Sequence, residues 1–296
     1  MTAPAPVIAA HPPRIDAHQH LWRLARGDYR WLRADVPALA PIHRDFEPDD
    51  LVPLLQAHGV SRTVLVQAAD SVAETDDMLQ LATLNDWIAG VVGWVDLSQP
   101  GAVQTLKRWA SHPKFKGVRP MLQDLPAADW LDHGPAPAMV QALVQLGLRL
   151  DALVKPEHLP ALARFAARWP QLPIVIDHAA KPVLRQGWRA PWARAWRAGL
   201  TELARRPQVF CKFSGLLTEM DDHAEPAELL APAWQTLVGL FGPERLMWGS
   251  DWPVLNLAGD YDTWVELAGE CIATLPAAGQ AAVWRSTAAR FYRLGA

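Results

Sequence analysis

The stretch RIDAHQH, at residues 14–20, is the first of eight short apolar runs that recur along the chain. The others cover residues 62–67, 89–95, 115–119, 149–154, 173–177, 208–214 and 245–250. Most of these runs are rich in Val, Ile, Leu and Phe at consecutive positions and show little polar alternation. This pattern is typical of strands that are buried on both faces, and it predicts a parallel sheet.

Helical patterns fill the intervals between the runs. Apolar residues at helical spacing mark residues 138–146, 160–169, 192–204, 229–241, 261–275 and 280–291. Asp49 or Asp50 is expected to cap an earlier helix whose apolar face carries Leu51, Leu54 and Leu55.

Eight strand–helix units in 296 residues predict a (β/α)8 TIM barrel. We expect one α/β domain over residues 14–296, after an N-terminal extension at residues 1–13. The alternative is a doubly wound open sheet. Such a sheet often carries a phosphate-binding glycine turn, and the sequence contains no G-x-G-x-x-G motif.

Composition narrows the class of protein. Half of the residues are hydrophobic and the formal net charge is -3, so there is no basic excess of the kind that binds nucleic acid. Two cysteines cannot build a disulfide framework and favour a reducing compartment. The N-terminus has no secretory pattern, and no apolar stretch reaches the roughly 18 residues of a membrane span. We expect a cytoplasmic protein with neither nucleic-acid nor membrane partners, and the sequence leaves homo-oligomer formation open.

Two histidines lie at the end of the first run. Because alternate residues of a strand share a face, Asp16, His18 and His20 are expected to point together into the barrel. Two imidazoles at that position could bind a metal ion, or they could donate hydrogen bonds to a carbonyl oxygen.

Polar residues also follow other runs. Arg119 ends the fourth, His178 follows the sixth and Asp251 follows the eighth. The carboxyl ends of barrel strands meet at one mouth, where barrels of this kind place their active sites. There Asp251 has the chemistry of a base, and Arg119 that of a planar donor to a substrate oxygen. The alternatives are a helix cap for Asp251, a surface ion pair for Arg119 and a hydrogen-bonded core residue for His178.

Two further side chains and one loop are weaker candidates. Gln67, at the end of the second run, is a candidate for contacting substrate hydroxyls or for an ordinary loop hydrogen bond. Trp252 offers either a face for packing against a sugar ring or simple core packing. Residues 27–46 form a long interval with Trp, Tyr and Pro, and such loops often cover a site.

Four motifs, taken together, resemble the sugar-lactonase branch of the amidohydrolase superfamily. They are DAHQH at 16–20, DH and KP within 177–182, KFSGL and TE within 212–219, and GSDWP at 249–253. The chain resembles the L-fuconolactonase and L-rhamnonolactonase group most, over residues 14–294. The resemblance implies a TIM barrel that hydrolyses a sugar lactone (an aldonolactone) to its open-chain acid.

The resemblance also implies roles for individual residues. Asp251 would activate water as the general base, and Arg119 would bind the substrate. The three histidines would surround the carbonyl oxygen or a metal ion, and Glu219 matches a metal-ligand position. The resemblance implies either no required cofactor or a single divalent metal, zinc before others. The implied ligands of that metal are His18, His20, His178, Glu219 and Asp251.

The chain departs from the superfamily at several positions. Binuclear members carry a bridging Lys on the fourth strand and a His on the fifth, where this chain has Arg119 and Asp151, so a two-metal site is not expected. Pro120 and Met121 stand where fuconolactonase-like sequences carry His-Gln, and residues 254–256 also differ, which leaves the sugar open. The alternative functions are a lactone isomerase or a one-metal decarboxylase on the same barrel, and then a non-catalytic binding protein.

Overall fold

Eight parallel strands form the centre of the computed structural model, which describes residues 13–125, 128–221 and 225–295. The predicted extension at residues 1–13 lies outside this part of the chain, apart from Pro13. The strands are neighbours in chain order, and all eight overlap the predicted runs. They are β1 (Arg14–Gln19), β2 (Val60–Val66), β3 (Ile88–Gly93), β4 (Phe115–Val118), β5 (Arg149–Ala152), β6 (Ile174–Ile176), β7 (Val209–Phe213) and β8 (Leu246–Trp248).

Helices form the outer layer and connect successive strands. In the part of the chain that the structure describes, none is long and apolar enough to cross a membrane. A π-helical turn at Ala282–Ser286 separates the last two. The α-helices are α1 (Pro48–Ala57), α2 (Val72–Leu84), α3 (Val103–Ala110), α4 (Trp130–His133), α5 (Pro137–Gln145), α6 (Leu159–Arg168), α7 (Pro191–Ala204), α8 (Pro226–Phe241), α9 (Tyr261–Ala273), α10 (Ala277–Ala281) and α11 (Thr287–Phe291).

The sheet closes where the carboxyl ends of β1 and β8 meet. The backbone N–H of His20 donates to the carbonyl of Trp252 at 2.7 Å, and that of Asp251 donates to the carbonyl of His18 at 2.8 Å. An eight-stranded parallel sheet closed in this way is a (β/α)8 barrel, so the predicted single α/β barrel is confirmed and the open-sheet alternative is wrong.

The interior of the barrel is closed at the amino ends of the strands by residues 288–294. Inward-facing side chains such as Ile15, Val64 and Met247 pack there against Phe291 and Tyr292. Tyr292 is completely buried. The lower half of the barrel is therefore a packed core, and only its carboxyl end is open for chemistry.

The expectation that Asp16 shares a face with the two histidines is wrong. Between Asp16 and Gln19, three steps along β1 match only two along β2, which is a β-bulge. The bulge reverses the alternation of side chains. The carboxylate of Asp16 therefore accepts a hydrogen bond from the hydroxyl of Tyr261 in the helical layer, whereas His18 and His20 point into the mouth.

The predicted cap of the first helix is also wrong. Glu47 is the N-cap, and the carboxylate of Asp50, three residues into the turn, accepts from the backbone N–H of Glu47 at 2.9 Å. Pro48 takes the first helical position, where its fixed φ suits the helix and its missing N–H is not needed. The helix consequently begins earlier than Asp49 or Asp50 would set it.

Candidate active site

Three imidazoles converge on one carboxylate at the mouth of the barrel. The Nε2 atoms of His18, His20 and His178 lie 3.6, 3.4 and 3.6 Å from Oδ1 of Asp251. The Nε2 atoms of His18 and His20 are 3.2 Å apart. All four side chains are buried. The structure thus brings together four residues from three parts of the chain that span more than two hundred positions, from β1 to the end of β8.

Hydrogen bonding fixes the form of His20. Its Nδ1 lies 2.8 Å from the carbonyl oxygen of Val66, and a carbonyl can only accept. In the neutral ring Nδ1 therefore carries the hydrogen, and Nε2 presents a lone pair toward Oδ1 of Asp251. Both atoms are acceptors and lie 3.4 Å apart, so a proton or a cation between them would stabilise the pair.

Burial keeps the histidines neutral near pH 7. It lowers the pKa of His178 to about 4 in spite of the nearby Asp251 carboxylate, and it also lowers the pKa values of His18 and His20. Burial alone would raise the pKa of Asp251, but the three surrounding imidazoles outweigh it and hold that pKa below its usual value. The site therefore combines an ionised carboxylate with neutral imidazoles.

A buried charge network lies directly beneath His18. Lys212, on β7, places Nζ 3.0 Å from Nδ1 of His18, 2.6 Å from Oδ2 of Asp151 and 3.0 Å from Oδ1 of Asp177. The hydroxyl of Tyr292 donates to the same oxygen of Asp151 at 2.6 Å. All of these side chains are inaccessible to solvent. The network links the closing segment of the barrel to the imidazole of His18.

Arg119 is held in place from behind by Gln67. The amide of Gln67 donates to the carbonyl of Arg119 at 2.6 Å, and the guanidinium in turn contacts the carbonyl of Gln67. Nη1 of Arg119 lies 3.3 Å from Nε2 of His18. Gln67 is completely buried, so the structure places it as a support for Arg119, away from the cavity wall.

Backbone strain occurs at two of the four converging side chains, His178 and Asp251. His178, Ala179, Ala180 and Lys181 are four consecutive non-glycine residues with φ between 48 and 60°, and Asp251 has a φ of 61°. Such a conformation costs about 1–3 kcal/mol per residue and persists only where the surroundings enforce it. The left-handed turn 178–181 directs both His178 and Lys181 toward the mouth of the barrel.

Gly215, in the KFSGL motif, makes room for this arrangement. It has a φ of 60°, and a Cβ atom there would stand 2.4 Å from Nδ1 of His178 and 2.9 Å from Oδ2 of Asp251. A larger residue would displace both side chains, so the motif has a packing reason at this position.

An open cavity of about 120 Å³ lies above the four residues. Part of its lining is polar and comes from His20, Arg119, Gln123, Asp124, His178, Lys181 and Asp251. The apolar part comes from Trp31, Ala68, Met121, Leu153 and Val254. The indole of Trp31 donates to the carbonyl of Ala68 at 2.7 Å, so the long interval 27–46 does contribute a wall of the cavity.

Two predicted site residues lie away from this centre. Glu219 follows β7 in a short 3-10 turn, where its carboxylate pairs with Lys181 at 3.2 Å and with Arg185 at 3.7 Å. Trp252 is buried and packs edge-on against Phe46, with ring centroids 5.2 Å apart. The structure therefore does not bring Glu219 or the indole of Trp252 together with the three histidines.

The donor atoms fit a single metal ion. Among the described residues, the groups with metal-like spacing are His18, His20 and Asp251, and His18, Asp177 and His178. The separations of 3.2–3.6 Å among the Nε2 and Oδ1 atoms of the first group match the edges of a tetrahedron around zinc, with bonds of about 2.0–2.1 Å. Glu219 belongs to neither group.

The buried network was not predicted, although charged residues within buried strands indicate it. Lys212 and Asp151 each interrupt a run that is otherwise buried on both faces. Charged residues are almost never fully buried unless they are paired, so a Lys on one strand and Asp residues on two others indicate a shared ionic cluster.

Comparison with known proteins shows that nearly the whole chain matches one family. The amidohydrolase family model matches residues 15–294. An L-fucono-1,5-lactonase of Burkholderia ambifaria is 44% identical over 285 residues, which cover 95% of this chain and 96% of that protein. An L-fucono-1,5-lactonase of Burkholderia multivorans is 40% identical over 291 residues and covers 95% and 96%.

A solved structure shows the same architecture. The crystal structure of an amidohydrolase from Burkholderia multivorans with bound zinc superposes with a TM-score of 0.88 at 37% identity. The match covers 96% of this chain and all of that chain. The zinc ion belongs to that protein, and it agrees with the metal-like spacing of the donors described above.

Proposed function

Because this chain belongs to the amidohydrolase family, we propose that its cavity hydrolyses a sugar lactone to the open-chain sugar acid. The protein is an enzyme of the lactonase type, a carboxylic-ester hydrolase. The observation that carries the proposal is the convergence of three imidazole Nε2 atoms on Oδ1 of Asp251, in a cavity that Arg119 also lines.

Asp251 is the proposed general base. Its carboxylate is ionised at neutral pH, lines the cavity and is held on a fixed turn at the end of β8. Water attacks the lactone carbonyl carbon as its proton passes to Asp251, which forms a new C–O bond and a tetrahedral oxyanion.

Arg119 and the histidines are the proposed stabilisers of that oxyanion. The guanidinium presents N–H donors beside Nε2 of His18, at 3.3 Å, and preorganised donors of this kind stabilise charge that develops on the carbonyl oxygen. Collapse of the intermediate breaks the bond to the ring oxygen. The leaving alkoxide takes the proton back from Asp251, so the ring opens to a hydroxy acid and the base is regenerated.

A single divalent ion, zinc before others, is the cofactor that these donors favour. His18, His20 and Asp251 would hold it, and when bound it would polarise a carbonyl oxygen and lower the pKa of water. The protein's own side chains also supply chemistry: Asp251 is a base, and Arg119 and the imidazoles are hydrogen-bond donors.

The identity of the sugar depends on the cavity wall. Met121 and Val254, two positions in the segments that differ from the fuconolactonase pattern, both line the cavity. Lys181 and Gln123 line it too, so the substrate meets both apolar and polar side chains. We propose an aldonolactone whose preferred stereochemistry differs from that of L-fucono-1,5-lactone.

The test is a panel of aldono-1,4- and 1,5-lactones, including the L-fucono lactones, with acid release followed with and without a chelator. We expect acid release from at least one lactone, and release by the Asp251→Asn variant that is slower by about 10²–10⁴-fold. If no lactone is opened, the proposal is wrong. Release of carbon dioxide would identify a decarboxylase, and ring migration without acid would identify an isomerase.

A further inference from the structure

Lys212 is a buried cation beneath the metal-like donors, and its contact with Nδ1 of His18 restricts that histidine. An ammonium group has N–H donors and no lone pair. Its contact of 3.0 Å with Nδ1 of His18 is therefore a hydrogen bond only when Nδ1 carries the lone pair, and the neutral ring then has its hydrogen on Nε2. A nitrogen that carries hydrogen cannot ligate a metal ion.

In this form the two imidazoles share a chain of hydrogen bonds, whereas the longer contact of Arg119 Nη1 with Nε2 of His18, at 3.3 Å, is not a hydrogen bond. Lys212 donates to Nδ1 of His18, and Nε2 of His18 can donate to Nε2 of His20 at 3.2 Å. Nδ1 of His20 donates to the carbonyl of Val66 at 2.8 Å. The two imidazoles are thus held in position without a metal ion.

Metal binding needs the other form. Nε2 of His18 must then offer its lone pair, so Nδ1 must carry the hydrogen and find an acceptor. Asp177 provides one, with Oδ1 at 3.4 Å from that nitrogen. Lys212 would have to give up its bond to His18 and keep only Asp151 and Asp177, at 2.6 and 3.0 Å, while its positive charge repels the ion.

We propose that Lys212 is a resident cation that competes with a divalent metal for this site. It holds the histidines in place without metal, and it weakens metal binding by withholding both the lone pair of His18 and the full charge of Asp177. The inference rests on the metal site of the proposed function and does not depend on which substrate is turned over.

The experiment measures zinc affinity without substrate, by competition with a chromophoric chelator, for the wild type and Lys212→Met. Carboxylate partners behind a metal-bound histidine change affinity by about 10–100-fold, so we expect Kd to fall by about that factor when Asp177 is released to His18. Lys181→Met is the matched control, because it removes a nearby lysine that lines the cavity but does not contact His18, and its Kd should stay close to that of the wild type.

The direction of the change separates this role from a structural one. Damage to the fold weakens metal binding, so tighter binding supports the proposal, whereas an unchanged or weaker affinity overturns it. The double variant Asp151→Asn/Lys212→Met, which removes a carboxylate together with its cation, serves if the single variant does not fold. NMR of the zinc-free wild type provides a second measurement, and hydrogen on Nδ1 of His18 would contradict the proposal.

No zinc binding by any variant would also overturn it. Because no lactone is present in these measurements, their outcome is independent of the lactone panel. A protein that opens lactones but shows no change of affinity refutes the role of Lys212 alone.

Discussion

The indole Nε1 of Trp196 donates a hydrogen bond of 2.6 Å to the carbonyl oxygen of Ala179. Ala179 lies in the left-handed turn 178–181, one residue after His178, and Trp196 belongs to α7 in the outer layer. Both residues are completely buried. An outer helix therefore holds the strained turn that carries the imidazole of His178.

Removal of that bond should affect both stability and catalysis. Trp196→Phe leaves the carbonyl of Ala179 buried without its donor, which costs about 1–3 kcal/mol in the free energy of unfolding. We also expect a lower kcat, since His178 is no longer fixed. Trp192→Phe is the control, because that indole N–H has no hydrogen-bond partner among the described residues. Urea unfolding and lactone kinetics check both variants, and equal losses in the two would contradict the prediction.

Strain in the turn predicts an unusual response to glycine. Ala180 is buried with a φ of 60°, a conformation that glycine adopts without penalty. Ala180→Gly should therefore leave the free energy of unfolding unchanged, or raise it by up to about 1 kcal/mol. Ala163→Gly, in the middle of α6, should lower it by about 0.5–1 kcal/mol. Thermal or urea unfolding measures both, and a loss at Ala180 as large as that at Ala163 would show that the turn is not strained.

Replacement of the proposed base should remove most of the activity. Asp251→Asn keeps the shape of the side chain but cannot accept a proton, so kcat/KM should fall by about 10²–10⁴-fold. Asp124→Asn alters another carboxylate that lines the cavity and should have a much smaller effect. Far-UV circular dichroism establishes that both variants are folded. Comparable losses would assign catalysis to cavity charge in general and not to Asp251.

Lys181 should contribute to binding of the sugar. It lines the cavity and is held by Glu219 at 3.2 Å, so its ammonium is positioned to donate to a lactone hydroxyl. Loss of a hydrogen bond to a charged group costs about 1.5–3 kcal/mol, which predicts a fall in kcat/KM of about 10–100-fold for Lys181→Met, mainly through KM. Arg185→Met removes the other cation beside Glu219 and should change KM little. An equal effect of the two variants would mean that Glu219, and not Lys181, matters.

Glu74 should make stability depend on pH. Its carboxyl oxygens accept from the backbone N–H groups of Ala68 and Ala69 at 3.0 and 2.9 Å, but burial outweighs these bonds and raises its pKa from 4.5 to about 8. Between those values the folded protein holds a proton that the unfolded chain has released, so stability falls as the pH rises through that window.

The Glu74→Gln variant tests this dependence. It should show a smaller fall in melting temperature between pH 6 and pH 9 than the wild type. Glu228→Gln, at an exposed position, should follow the wild-type curve. Parallel curves for the wild type and Glu74→Gln would mean that Glu74 is ionised in the folded state.

The barrel could be predicted from the sequence because its strands are buried on both faces. Such strands appear as continuous apolar runs, and eight of them separated by helical intervals leave few arrangements. The face occupied by Asp16 could not be predicted, because a single bulge between Asp16 and Gln19 reverses the alternation, and no residue in that stretch requires it. The helix cap at Glu47 was not predicted because the helix begins at Pro48, before the two aspartates that were expected to cap it.

Some residues of the candidate site could likewise be predicted from the sequence, and others could not. His18, His20, His178 and Asp251 lie at strand ends, and the geometry of a barrel brings such positions together whatever the details of packing. Gln67 and Glu219 also lie near strand ends, yet their directions depend on loop conformation, which local sequence does not determine. Lys212 lies beneath His18 because it is on the inward face of β7. The alternation of side chains along a strand predicts that face, but no role for Lys212 was predicted from the sequence.

The hydroxyl of Tyr292 reaches Asp151, and through it Lys212 and the floor of the reacting cluster. Tyr292 is translated after all eight strands, so a nascent polypeptide that already contains the three histidines and Asp251 still lacks the hydroxyl that donates to Asp151. The site can be completed only after Tyr292 has left the ribosome. Premature termination within residues 282–291 would release a chain that contains the three histidines and Asp251, but the amino end of its barrel would be open to solvent.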